Sequence, residues 1–261
     1  MHRVRRPAVA GVFYPGDATE LTGTVDRLLA AAWVAVKEPA PPPKVLIVPH
    51  AGFIYSGEYA AQAYARVDPD PITRVVLLGP SHRVSLDGLA LPASTVFATP
   101  LGEIEVDNTG FEDLPQVVVT DAPHAQEHSL EVQLPFLQRL LGNDFELVPF
   151  SVGRARPEEV AEVLDRCWGG SETLVVVTTD LSHYYPYDTA QRLDAETVHQ
   201  MVALSGPIGP DHACGAHPVN GLLHTGAARG LTTQLYAWGN SGDTAGDKER
   251  VVGYAAIGAH D

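Results

Sequence analysis

The chain is poor in cysteine, methionine and positive charge. It carries two cysteines and two methionines in 261 residues, and 17 Lys+Arg stand against 32 Asp+Glu, a formal net charge of −15. Two thiols, Cys167 and Cys214, are too few for the disulfide framework of a small secreted domain, so a reducing, cytoplasmic setting is expected. The negative surplus opposes phosphate backbones and anionic lipid, which argues against nucleic-acid and membrane partners. No stretch approaches the roughly 18 apolar residues of a membrane span. Arg3, Arg5 and Arg6 begin like a twin-arginine signal, but Ala8 to Tyr14 is short, holds Gly11 and runs into Pro15-Gly16, so no targeting leader is expected. Walker A and Rossmann fingerprints are missing, as is the GxSxG elbow, which removes support for nucleotide binding and serine hydrolysis. HExxH and paired CxxC are missing too, so no compact metal signature is present.

What the chain does have is 11 histidines. Their setting follows from the hydrophobic pattern. Asp17 and Glu20 resemble a capping box opening a helix with Leu21, Val25, Leu28, Leu29 and Val36 on one face. Lys37 to Pro43 (KEPAPPP) reads as a stiff connection into the first core strand. Val45–Val48, Val75–Leu78 and Leu174–Val177 are continuous apolar runs, the mark of strands buried on both faces of a mainly parallel sheet. Phe145–Val152 and Val251–Ile257 read as further strands. Helices are expected over Glu58–Val67, over Glu158–Trp168 behind Pro157, and over Thr189–Leu204 with Leu193, Val198, Met201 and Val202 buried. Strands alternating with helices imply an α/β fold: one three-layer domain over residues 1–261, with a mainly parallel or mixed sheet flanked by helices.

Each of the three buried strands runs into a polar loop bearing histidine: VLIVPHAGFIYSG gives His50, VVLLGPSH gives His82, and VVVTTDLSHY gives Asp180 and His183. Ligands of open α/β sheets bind beyond the carboxyl ends of the strands, so these groups are expected to share one site. EHSLE opens an apolar pattern, so the first turn of a helix is expected to present Glu127, His128 and Glu131 together, with Pro135 either kinking that helix or marking where the regular helix begins. His212 to Pro218 reads as a polar Gly/Pro-bounded loop that places Cys214 between two imidazoles, whereas Cys167 sits at core spacing with Val160 and Leu164. Two imidazoles and one anionic ligand leave open positions on a first-row metal. Glu127 or Asp180 as the third ligand suits Fe(II); Cys214 would also admit zinc or copper. Tyr14, Tyr55, Tyr184 and Trp238 lie near these loops, and Asn240 to Asp243 with Asp247 forms an acidic turn-rich segment.

Six ordered motifs, PHAGFIYSG, GPSH, EHSLEVQLPF, TTDLSHY, CGAHPVNGLL and NSGDTAGDKERVVGYAA, closely resemble the Memo family (mediator of cell motility), whose prokaryotic members are named AmmeMemoRadiSam system protein B. The resemblance runs from about Arg6 to the C-terminus. It implies an α/β fold similar to the class III extradiol dioxygenases, which use non-haem Fe(II). It implies metal ligation by His50, His82 and Cys214, with His183 as the acid/base beside Asp180. Glu127, His128, Tyr55 and His217 are then the candidate substrate contacts. The resemblance further implies iron or copper as the metal and radical SAM and AMMECR-type proteins as partners. A thiolate in place of the dioxygenases' carboxylate would donate more charge to the metal, so ring cleavage does not follow automatically. The competing expectations are a binding module for a small molecule or peptide using the same pocket, and a metal-binding scaffold.

Overall fold

The computed structural model describes residues 2–35 and 41–261. Val36 and most of the proline-rich connection lie outside the described residues. In chain order the elements are β1 (Val4–Arg5), α1 (Ala18–Ala35), β2 (Val45–Val48), α2 (Phe53–Tyr64), β3 (Arg74–Pro80), β4 (Leu89–Leu91), β5 (Val96–Thr99), β6 (Gly102–Glu105), β7 (Val117–Val119), α3 (Ala122–Ala125), α4 (Leu134–Leu141), β8 (Glu146–Val152), α5 (Pro157–Cys167), β9 (Thr173–Thr178), β10 (His183–Tyr185), α6 (Tyr187–Val202), α7 (Ala216–Arg229), β11 (Thr232–Asn240) and β12 (Val251–His260).

The three continuous apolar runs form the centre of a mixed sheet. Strands β2, β9, β3 and β8 lie side by side in that order and parallel. Antiparallel β12 closes one flank, with β11 and β10 paired to it, and antiparallel β4 followed by β7 closes the other. Because side chains alternate across a strand, each run feeds two cores. Val45, Ile47, Val76, Leu78, Val175 and Val177 pack with Val160 and Leu164 of α5 and Val219 and Leu222 of α7. Leu46, Val48, Val75, Leu77, Leu174 and Val176 pack on the opposite face with Leu21 and Val25 of α1, Ala60 and Tyr64 of α2, and Leu134 and Leu137 of α4. Each fully buried Val or Leu contributes roughly 1.5–3 kcal/mol, so both faces resist opening. Helices α5 and α7 meet at Gly221, where a Cβ would lie 2.3 Å from Val160.

Register sets the position of the loops. Val48 pairs with Thr178, Leu78 with Val177 and Pro80 with Val152, so β2, β9, β3 and β8 end nearly level. Gly79 at the end of β3 lets a further segment approach, since a Cβ there would stand 2.9 Å from both Leu130 Cδ2 and Ser129 Oγ.

Four expectations are corrected. Helix α2 begins at Phe53 and ends at Tyr64, earlier than Glu58–Val67 at both ends, because the chain turns at Gly52 and the FIYSG stretch is already helical. EHSLE is not a helical first turn: a 3₁₀ turn at Glu131–Gln133 precedes α4, and Pro135 occupies the first turn of the regular helix, where its missing N–H costs nothing. In α6 Leu193 and Val202 are only partly buried, and Asp194 and Thr197 are buried beside Val198 and Met201. Ala216, His217 and Pro218, read as loop, open α7.

Candidate metal centre

His50, His82 and His128 converge from three segments. His50 follows β2, His82 follows β3, and His128 stands on the segment packed against Gly79. One ligating nitrogen of each lies within 4.8 Å of the others. The ring centroids are 5.3 Å apart for His50 and His82, 5.5 Å for His50 and His128, and 4.8 Å for the stacked pair His82 and His128.

Hydrogen bonding fixes which nitrogen each ring presents. His50 Nδ1 is 2.9 Å from Thr178 Oγ1. That hydroxyl donates to the Val48 carbonyl at 2.9 Å, so its oxygen is left to accept from His50 Nδ1–H and from Gln133 Nε2 at 3.0 Å. The proton therefore sits on Nδ1, and Nε2 is left as an acceptor with Cys214 Sγ 3.3 Å from it. His82 donates from Nδ1 to Glu127 Oε1 at 2.9 Å, and His128 Nδ1 lies 3.2 Å from the same oxygen. Both rings then also present Nε2. A carboxylate or hydroxyl behind the distal nitrogen is the usual way a metal-binding imidazole is oriented and made more basic.

Glu127 is the hub of this arrangement. Backbone N–H groups of His82, His128 and Ser129 donate to it at 2.6, 2.9 and 3.0 Å. Burial alone would raise its pKa, but the donors from His128, His82 and Ser129 outweigh burial and hold the carboxyl well below the usual range. His50 is pushed the other way. Burial, then the neighbouring His82 and His128, lowers its pKa well below the ordinary histidine value, so it stays neutral, the ligating form.

The loop after β9 supplies the remaining groups. Asp180 accepts from His50 N–H at 2.8 Å, and burial raises its pKa against that hydrogen bond and the nearby imidazoles. His183 Nδ1 sits 2.8 Å from the Leu181 carbonyl, which can only accept. His183 Nε2 is thus unprotonated in the neutral ring. Cys214 Sγ lies 3.3 Å from His50 Nε2 and receives Asp180 N–H at 3.3 Å. Burial, with Asp180 nearby, pushes its thiol up to about 12. The donor set fits a first-row metal: three imidazoles whose Nδ1 atoms already face Thr178 or Glu127, and a thiol against one of them.

Residues 5–258 match the model of the Memo-like protein family. The chain belongs to that family. It is similar to a MEMO1 family protein of Ignicoccus hospitalis, 36% identical over 97% of this chain and 98% of that one. It is also similar to a MEMO1 family protein of Aquifex aeolicus (36%, 98% of each chain) and to one of Methanosarcina acetivorans (35%, 97% and 98%).

In this Memo-like chain a cavity of about 770 Å³ opens over the histidine cluster. His50, His82, His128, Asp180, His183 and Tyr55 line it. Two of the expected substrate contacts are placed elsewhere. Glu127 is 1% exposed and lies beneath His82 and His128. His217 donates Nδ1–H to the Ala155 carbonyl and borders a separate cavity of about 190 Å³ together with Cys214. Cys214 touches His50 but is not within 4.8 Å of all three imidazole donors, whereas His128, expected as a substrate contact, is.

Sequence reading missed the supporting groups. Thr178 and Gln133 orient His50, and Phe13 packs on His128 with ring centroids 4.7 Å apart. Thr178 is legible only in hindsight, as the residue ending β9 beside the TDxxH loop. Nothing local to Phe13 marks it, because its partner lies more than a hundred residues away. The membrane expectation has one direct observation: no helix among the described residues is long and apolar enough to cross a bilayer.

Proposed function

We propose that the cluster holds a non-haem metal, Fe(II) in the first place with copper or zinc as substitutes, and supports redox or dioxygenase-like chemistry on a small molecule. The observation that carries the reading is the convergence of three imidazoles, one ring nitrogen of each within 4.8 Å of the others, with Nδ1 of His50 on Thr178 and Nδ1 of His82 and His128 beside Glu127. A bound Fe(II) would offer open positions at which substrate and oxygen meet. The protein's own part is then definite. His183, with Nδ1 committed to Leu181, takes up or returns a substrate proton at Nε2. Phe13 and Tyr55 form apolar wall around the reacting centre. Cys214 is the further donor on the His50 side, and its proton must leave when it ligates.

Anaerobic reconstitution tests the metal reading. The full chain should take up Fe(II) stoichiometrically, while His50→Ala and His82→Ala should lose most of it. Equal metal content in all three would overturn the assignment. Oxygen uptake by the loaded protein with a panel of catechols, lost in His183→Gln at unchanged metal content, separates an enzyme from a binding module using the same pocket.

A further inference from the structure

The cavity over the histidines has two arginines in its wall, Arg83 just after His82 and Arg250 just before β12. This runs against the character of the chain, which is acidic overall. Among the described residues, neither guanidinium has a carboxylate partner, unlike those of Arg3, Arg5, Arg74, Arg139, Arg154, Arg156, Arg166 and Arg229. The two acidic residues of the same wall are committed to backbone. Asp180 Oδ1 accepts from His50 N–H at 2.8 Å, and Asp247 Oδ1 accepts from the N–H groups of Glu249 and Arg250 at 2.9 and 3.2 Å.

Arg250 is also held in place. Its guanidinium carbon lies 5.0 Å from the centre of the Tyr184 ring. Tyr184 has φ +63°, a left-handed conformation unfavourable for a residue with a Cβ. The cause is a shift of register between β10 and β12, where His183 pairs with Val252 and Tyr185 with Val251, leaving Tyr184 as the extra residue. Such a bulge re-aims the side chain it carries, here into the wall of the cavity. A guanidinium stacked on an aromatic face keeps its N–H edge free, and that edge matches a carboxylate or phosphate in two parallel hydrogen bonds.

We propose that the substrate is a small-molecule anion whose carboxylate or phosphate is bound by Arg83 and Arg250 at the rim while its reactive end faces the histidines. This deepens the function proposed above and rests on it for the identity of the reacting end, but not for the anion site.

The test is calorimetric titration of the full chain, metal-stripped and Fe(II)-loaded, at low ionic strength. The probes are 4-hydroxybenzoate, 4-hydroxyphenyl phosphate and uncharged phenol. At least one anionic probe should bind roughly tenfold or more tightly than phenol in both forms, as charge-assisted hydrogen bonds imply. The stronger of the two identifies the anion as carboxylate or phosphate. In Arg83→Gln/Arg250→Gln that preference should vanish, with phenol affinity, Fe(II) content and thermal midpoint unchanged. No preference for either anion in the native chain, or a preference that survives in the double variant, overturns the proposal. Failure of the metal reading would look different: no Fe(II) uptake, with the anion preference intact in the stripped protein.

Discussion

Glu127 and Glu131 stand four residues apart, and both are all but inaccessible, at 1% and 0% exposure, yet they build different regions. Glu127 faces the cavity side and spends its oxygens on two imidazoles and three backbone N–H groups. Glu131 faces away and ties down the N-terminal segment. It pairs with Arg5, accepts from Ala8 and Val9 N–H at 2.8 and 3.0 Å, and accepts from Tyr14 O–H at 2.6 Å. Arg5 in turn donates from Nε to the His124 carbonyl and from Nη2 to the Glu127 carbonyl, so the second region braces the first. A buried carboxylate whose partners are all structural protein groups stabilises the fold; one whose partners are ligand-competent imidazoles orients a site.

Substitutions should separate the two roles. Glu131→Gln would place an amide donor among four donors and leave Arg5 as an unpaired buried charge, a loss of about 3–5 kcal/mol. Denaturant unfolding should show it as a marked drop in midpoint. Burial, reinforced by the Glu131 carboxylate, raises the Tyr14 pKa, so its hydroxyl remains a donor throughout the accessible range. Glu127→Gln should act mainly on the metal. With the anchor of His82 and His128 weakened, Fe(II) affinity should fall about 10–100-fold, the usual effect of removing an outer partner of a metal-binding histidine. A competition titration against a chelator of known affinity measures this. If Glu127→Gln unfolds the chain as severely as Glu131→Gln, the division of roles is wrong.

Asp194 sharpens the comparison as a buried carboxylate with half its partners. Its Oδ1 accepts from Ser182 N–H at 3.0 Å, while Oδ2 is buried without a partner. Burial pushes its pKa up to about 6, against the hydrogen bond from Ser182. With the folded value raised, the unfolded chain ionises first as pH climbs. Stability referred to the protonated form is present below pH 4 and is lost up to about pH 6. Asp194→Asn should therefore gain on the order of 1–2 kcal/mol relative to the native chain above that window and little below it. Thermal melts at pH 4 and pH 8 read the difference.

The central strands and their histidine loops were legible because buried parallel strands leave an unbroken apolar signature, and a short loop has no freedom to carry His50, His82 or His183 far from the strand end. The division between Glu127 and Glu131 was not legible. Helical spacing puts residues four apart on one face, but the chain around them is irregular until Pro135, and Arg5, Tyr14 and Phe13 reach them from the other end of the sequence. His128 was visible as a site residue but not as a member of the imidazole cluster, since its position depends on the Gly79 contact. His217 was misplaced for a related reason: the Gly/Pro-rich segment around it looked like a loop, although Pro218 suits a helical first turn, and the ring donates to the Ala155 carbonyl.

The central claim is that His50, His82 and His128 share one metal through Nε2. Anomalous diffraction at the iron edge from crystals of the Fe(II)-loaded protein tests it most directly. The account predicts one peak at bonding distance, about 2.0–2.2 Å, from all three Nε2 atoms. A peak bonded to His50, His82 and Cys214 with His128 turned away, or no peak among the three rings, would contradict it.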